Sequence, residues 1–179
     1  MDIDMSFLPV PIEDYSGSMK AISWEHHEIH DGDVFRYYDS VTLGSAVSQD
    51  YLIQTPATGK LMHLTASADG TAITSFFMYE GTDKSGTTPQ TFYNAYRDSA
   101  NPSTATIHKG TSGGTTDGTL ISRYASGAAT AQSRSSSNVN HDNEWVLKLN
   151  TKYIFRITSG TAGNLCNIMF DWYEHAYGT

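Results

Sequence analysis

The densest group of ionisable side chains lies in the segment Glu25-His26-His27-Glu28-Ile29-His30-Asp31. Imidazoles and carboxylates are common Zn²⁺ ligands, and a helical zinc-protease site spaces His, Glu, two residues and His so that both imidazoles share one helix face. After His27-Glu28 such a site needs a histidine at position 31, where this chain has Asp31. The zinc-protease motif is therefore incomplete by one residue.

If the same segment is a strand, His26, Glu28 and His30 point to one face of a sheet. A cupin-like metal enzyme would take a further ligand from a distant histidine, and four are available: His63, His108, His141 and His175. The spacing does not match the cupin pattern. We therefore expect a solvent-exposed or edge-strand segment that holds no metal and no other cofactor, with the cupin-like enzyme as an open alternative.

Other catalytic patterns give no specific signal. The serines lie in low-complexity segments, where nothing needs to hold a base against a nucleophile. The glycines from Gly110 to Gly118 come with neither Gly-Lys-Ser/Thr nor a helical pattern after them, so they predict no phosphate-binding loop. No pair of carboxylates is favoured for glycoside cleavage. We expect a protein without enzymatic activity and assign no catalytic residue.

Aromatic residues provide a second functional hypothesis. Trp24, Trp145, Trp172 and eleven tyrosines could stack against sugars on an exposed β-face. Such residues lie more often in cores and interfaces, and alternation in Trp172-Tyr173-Glu174-His175 places one of the two aromatics inside. A glycan-binding β-sandwich is the resulting alternative.

The elements that must position these residues are strands. Alternating patterns between turn signals predict eight of them, at residues 34–43, 51–55, 60–68, 72–79, 119–124, 145–149, 152–158 and 165–175. Asp69-Gly70 predicts a two-residue hairpin between the strands at 60–68 and 72–79. Residues 98–118 and 125–143 are predicted to be long loops. The pattern predicts an all-β fold, an antiparallel sandwich or jelly roll, in one domain over residues 18–179.

Residues 1–17 are predicted to form an extended N-terminal arm, because Pro9 and Pro11 disfavour a helix. The arm carries four apolar residues, Phe7, Leu8, Val10 and Ile12, and four acids, Asp2, Asp4, Glu13 and Asp14. We expect the apolar residues to pack on the domain's own sheet or, in the functional hypothesis below, on another protein.

Charge and composition exclude several partners. Residues 1–35 hold eight acids and one lysine, whereas the remaining chain holds ten bases and eleven acids. Without a basic cluster we expect no direct nucleic-acid binding and no binding to anionic membranes. No apolar run reaches the ~18 residues of a membrane span. A single cysteine, Cys166, and the lack of a secretory signal predict folding in a reducing cytoplasm.

From about residue 20 to residue 175 the sequence resembles head decoration, or cement, proteins of tailed bacteriophages. The resemblance rests on the order of several pieces: residues 24–30 with Gly32 and Phe35, residues 51–60 with His63, residues 79–82, residues 94–97, Gly118-Thr119, residues 147–158, and residues 172–175. Residues 125–143 depart from any matching pattern.

The resemblance implies a jelly-roll sandwich that binds the outer surface of an icosahedral capsid. It implies the major capsid protein as partner, a homotrimer as the binding unit, and stabilisation of the shell as the function. The protein would then fold in the host bacterial cytoplasm and act in the virion. Under this hypothesis the apolar arm residues contact the capsid or an adjacent subunit, and the acidic arm residues meet basic capsid residues.

Overall fold

The computed structural model describes residues 24–57, 59–127 and 144–176. The predicted arm at residues 1–17 and residues 128–143 of the second predicted loop lie outside the described residues. The described elements are, in chain order, α1 (Trp24–Asp31), β1 (Val34–Leu43), β2 (Ser48–Gln54), β3 (Lys60–Gly70), β4 (Thr74–Glu80), β5 (Ser85–Pro89), β6 (Tyr93–Asn94), β7 (Thr106–Ser112), β8 (Thr119–Ser126), β9 (Trp145–Leu147), β10 (Lys152–Ser159) and β11 (Asn164–Ala176).

The strands form two antiparallel sheets. Sheet I has the order β6-β1-β11-β3-β9, and sheet II has the order β5-β7-β2-β10-β4-β8. The pairs are nested, since β1 pairs with β11, β2 with β10, β3 with β9 and β4 with β8. This nesting is the strand order of a jelly roll, to which β5, β6 and β7 are added between β4 and β8. The predicted all-β sandwich is confirmed.

The core lies between the two sheets and is built from the inward-facing residues of each strand. Along β11, Ile168, Phe170 and Trp172 are buried while their neighbours are not, which is the two-residue period of a strand with one covered face. Sheet II contributes Phe155 and Ile157 from β10 to the same core, and the ring centroids of Phe155 and Phe170 are 4.8 Å apart. Each buried side chain of this size contributes about 1.5–3 kcal/mol.

The predicted hairpin at Asp69-Gly70 is wrong. Strand β3 continues through Gly70 in sheet I, whereas β4 lies in sheet II, so the chain crosses from one sheet to the other at residues 71–73. The buried side chain of Asn164 holds this crossing. Its amide oxygen accepts a hydrogen bond from the Ala72 N–H at 2.9 Å, and its amide nitrogen donates to the Ile73 carbonyl at 3.1 Å.

Two further predictions need correction. The segment with the histidine cluster is the helix α1 and not an edge strand, whereas the solvent exposure expected as the other alternative is confirmed for His26, His27, His30 and Asp31. The predicted loop at 98–118 contains β7, which pairs with β2 and buries Ile107. Because residues 106–112 offer only one buried apolar side chain, the alternation that marks a strand is missing from this part of the sequence.

A buried carboxylate attaches the segment before β7 to β11. Glu174 is fully buried, and it accepts hydrogen bonds from the backbone N–H of Thr104 at 2.9 Å and from the Trp172 Nε1–H at 3.2 Å. The hydroxyls of Ser103 and Thr104 and the Ala105 N–H also donate to it. Burial raises the pKa of Glu174, but these hydrogen bonds outweigh burial and hold the pKa below its ordinary value.

Candidate interaction surface and metal-ligand cluster

The outer face of sheet I carries large apolar side chains that the fold leaves exposed. Tyr38 on β1 is 71% exposed and lies directly opposite Met169 on β11, which is 45% exposed. Leu165, also exposed, lies four residues along β11 on the same face. We call Tyr38, Met169 and Leu165 the outer patch.

Polar contacts lie on both sides of the Tyr38–Met169 pair, and one of them separates this pair from Leu165. The Ser40 hydroxyl donates to the amide oxygen of Asn167 at 2.6 Å, and Asn167 donates in turn to Asp69 at 2.6 Å. On the other side, Arg36 and Asp171 form an ion pair at 3.0 Å. Exposed apolar residues within a polar rim are typical of a protein–protein contact surface.

The outer face of sheet II is organised by one arginine. Arg156 on β10 binds Asp50 through Nε at 2.6 Å and Nη2 at 2.9 Å, and it binds Asp117 through Nη1 at 2.7 Å. Hydrogen bonds from Arg156 and Lys84 lower the pKa of Asp117. A shallow polar groove lies beside this network, lined by Ser48, Gln49, Asp50, Gly110, Thr111 and Arg156. Because these charges are paired with one another, the network links β10 to β2 and to the segment before β8, and its groups are not free to act as an acid or base.

A third surface is aromatic. Tyr93 in β6 is 59% exposed, and Tyr96 beyond it is also exposed. The Arg97 guanidinium lies over the Tyr93 ring at 5.0 Å from its centroid, and Tyr96 lies edge-on to His30 at 6.4 Å between centroids. In this small patch a sugar could stack on a tyrosine.

Helix α1 changes how the histidine cluster is paired. In a helix, residues four apart are neighbours, so His26 lies beside His30 and His27 beside Asp31. The Nε2 atoms of His26 and His30 are 3.0 Å apart, and Nδ1 of His27 lies 3.0 Å from Oδ2 of Asp31. The set His26, Glu28 and His30 that a strand would present on one face does not form.

Glu28 lies on the buried side of this helix and is only 5% exposed. Burial raises its pKa, and the nearby carboxylates of Asp31 and Asp33 raise it further. Ligand atoms of His27, Glu28 and Asp31 lie within 4.8 Å of one another. Within the described ranges this is the group of three that could hold a metal ion.

The distant histidines do not complete a cupin-like site. His63 and His175 lie together on the outer face of sheet I, with ring centroids 4.6 Å apart, and His63 Nδ1 contacts Glu144 at 2.5 Å. No group of three in the described part of the chain joins either of them, or His108, to His26 and His30. His141 lies outside that part.

The expectation that the chain has no serine nucleophile overlooks one segment with the spacing of a hydrolase motif. Residues 110–114, Gly-Thr-Ser-Gly-Gly, have the Gly-x-Ser-x-Gly spacing of a hydrolase elbow, which places its serine on a tight turn between a strand and a helix. Ser112 instead ends β7, paired with Ser85 of β5, and no helix follows it in the described residues. The match is therefore one of spacing alone.

The predicted contact residues of the arm, at positions 2–14, lie outside the described residues, as does the side chain of Trp24. Of the other tryptophans proposed for sugar stacking, Trp172 is buried in the core and Trp145 is exposed. The outer patch was missed, although alternation in the predicted strand at 34–43 already places Tyr38 on the face opposite Phe35 and Tyr37.

Described residues form no helix long and apolar enough to cross a membrane. The chain matches no protein-family model, no curated protein and no solved structure.

Proposed function

We propose that the chain is a non-enzymatic virion structural protein that binds the outer surface of a tailed-phage capsid and stabilises the shell. Its partner is the major capsid protein, and its binding unit is a homotrimer. Two lines support this decoration function. One is the ordered resemblance along residues 20–175, and the other is the jelly-roll sandwich, an architecture that capsid proteins share with lectins and cupins.

The observation that carries the proposal is the outer patch. Tyr38 and Met169 are neighbours on adjacent strands of a rigid sheet, and both keep a large part of their surface in water. Covering such a pair by another copy of the chain removes apolar area from water at about 25 cal/mol per Å². We therefore assign the outer patch to the contact between subunits.

The capsid contact is assigned to the N-terminal arm. Its apolar residues Phe7, Leu8, Val10 and Ile12 supply area to bury, and its acids Asp2, Asp4, Glu13 and Asp14 complement basic residues on the shell. Deleting residues 1–17 should abolish binding to phage heads and leave the circular dichroism spectrum of the sandwich unchanged. Undiminished binding after the deletion would contradict this assignment.

The subunit contact is tested by the native mass of the purified chain, measured by light scattering after size exclusion. The proposal predicts about three times the chain mass of 19.6 kDa. Tyr38→Ser and Met169→Ser should reduce the mass to that of a monomer. Leu120→Ser is the matched control, because Leu120 is an exposed apolar residue on sheet II. A trimer that withstands both patch substitutions would remove the outer patch from the interface.

One observation favours the alternative, glycan binding by a tail or fibre accessory protein. It is the exposure of Tyr93 and Tyr96 beside Arg97 and His30. Binding of the unmodified chain to a glycan array, together with loss of that binding in the variants Tyr93→Ala and Tyr96→Ala, would establish this function in place of the first. If the unmodified chain binds no glycan on the array, the glycan-binding alternative is excluded.

A further inference from the structure

Helix α1 concentrates metal-ligating groups on one turn. His27 and Asp31 are four positions apart in the sequence and face solvent, with more than half of each side chain exposed. Glu28 follows His27 directly and turns toward the body of the protein, where it is almost completely covered. The three side chains therefore extend from the exposed side of the helix to its buried side.

The buried member of this group is only partly compensated. No hydrogen bond contributes to the pKa of the Glu28 carboxyl, which burial and the carboxylates of Asp31 and Asp33 raise and the imidazoles of His175 and His27 lower. The nearby Asp33 is paired with Lys60 at 3.0 Å, but Asp31 has only the imidazole of His27. A carboxylate withdrawn from water without a partner is costly, and such a group needs a cation or a proton.

The fully satisfied Glu174 shows that this fold can provide a buried carboxylate with donors. Glu28 has instead two further ligand groups, with ligand atoms of all three residues within 4.8 Å of one another. Nδ1 of His27 and Oδ2 of Asp31 are 3.0 Å apart as an ion pair. Two ligands of a tetrahedral ion with bonds of about 2.0–2.2 Å lie roughly 3.3–3.6 Å apart, so a small outward movement of these two side chains would admit the ion.

We propose that His27, Glu28 and Asp31 bind a divalent transition-metal ion, with Zn²⁺ the best match. One imidazole nitrogen and two carboxylate oxygens fill three positions of a tetrahedral ion, and water takes the fourth on the exposed side. The mixed nitrogen and oxygen set favours Zn²⁺ over Mg²⁺, which prefers oxygen ligands and retains its water. The bound ion offsets the charge of Glu28 and fixes α1 against sheet I. This inference does not depend on the proposed function.

The test is calorimetric titration of the full metal-free chain with Zn²⁺, together with the melting temperature with and without Zn²⁺. The expected result is one Zn²⁺ per chain and a higher melting temperature in its presence. Asp31→Asn and Glu28→Gln should each weaken Zn²⁺ binding by at least about tenfold. Asp31 is exposed, so its variant is expected to fold, and circular dichroism checks this for both.

The matched control is the double variant His26→Gln, His30→Gln, which removes the neighbouring histidine pair and leaves the three proposed ligands in place. Its affinity for Zn²⁺ should stay within about twofold of the unmodified chain. Failure of the unmodified chain to bind one Zn²⁺ would overturn the proposal. Affinity unchanged by Asp31→Asn and Glu28→Gln, or lost only in the histidine double variant, would overturn it as well.

Discussion

Glu174 and Glu28 are two buried glutamates with opposite environments. Glu174, on β11, accepts hydrogen bonds from Ser103, Thr104 and their neighbours, and its pKa lies below the ordinary value. Glu28, on α1, is buried without a donor from the described residues, and its pKa lies above that value. Burial raises both pKa values, but hydrogen bonds lower that of Glu174, whereas the nearby carboxylates of Asp31 and Asp33 raise that of Glu28 further.

The comparison separates a structural carboxylate from a candidate binding carboxylate. All but one of the donors to Glu174 described above come from residues 103–105, the other being Trp172 on the same strand, so its charge attaches that segment to sheet I. Glu28 attaches nothing in this way and lies next to two other potential ligands. A buried acid is therefore not by itself evidence for a site, whereas a buried acid that lacks donors and lies beside two further ligand groups is a candidate for one.

The largest effect is expected at Glu174. Glu174→Gln removes the charge but keeps the size, and it leaves several buried donors facing a weaker acceptor and an amide. We expect the free energy of unfolding to fall by about 3–5 kcal/mol, as when one partner of a buried charged network is lost. Urea denaturation at pH 7 measures this loss. A loss below about 1 kcal/mol would show that Glu174 is not the attachment point described here.

The pH dependence of this loss has a definite sign. The folded pKa of Glu174 is lowered, so its contribution is present above the unfolded pKa of about 4.3 and is lost as the pH falls through the folded pKa. The difference in stability between the unmodified chain and Glu174→Gln should therefore shrink only below about pH 4.

A smaller effect is expected where a carboxylate is compensated by a charge. Arg156→Gln leaves Asp50 and Asp117 without their shared partner, and all three side chains are mostly buried. We expect the free energy of unfolding to fall by about 1–3 kcal/mol, measured by urea denaturation. Lys148→Gln is the control, since Lys148 pairs with Glu80 while largely exposed, and it should cost less than about 0.5 kcal/mol. Equal losses in the two variants would contradict the ranking.

The smallest effect, and the opposite sign, is expected at Glu28 in the metal-free chain. Its folded pKa is raised, so the charged form costs stability above that pKa, and the cost disappears as the pH falls to the unfolded value of about 4.3. Glu28→Gln should increase the free energy of unfolding at pH 7 by up to about 1 kcal/mol. The gain should vanish near pH 4. A loss of stability at pH 7 would place an unrecognised donor beside Glu28.

The sandwich could be predicted from the sequence, because alternation in segments such as residues 34–43 and 165–175 reports a sheet with one covered face. The crossing at residues 71–73 could not. Asp69-Gly70 marks a turn, but whether the next strand rejoins the same sheet depends on Asn164, more than ninety residues away. For the same reason nothing in residues 98–105 indicates that they hold the buried Glu174.

For the candidate sites, the sequence shows which residue types are present but not how they are paired or buried. The sequence marks the histidine segment as chemically unusual, but this polar segment has no apolar period and so does not predict the helix that pairs His27 with Asp31. The burial of Glu28 depends on packing against the rest of the molecule. Likewise, alternation places Tyr38 on one face of β1 but does not indicate that this face is left uncovered.

The decoration function is tested most directly by co-sedimentation of the intact, purified chain with empty heads of the tailed phage proposed to carry it. The proposal predicts that the chain pellets with the heads in a saturable manner and raises the temperature at which they rupture. Heads that leave the chain in the supernatant, at concentrations at which it is folded and trimeric, would contradict it.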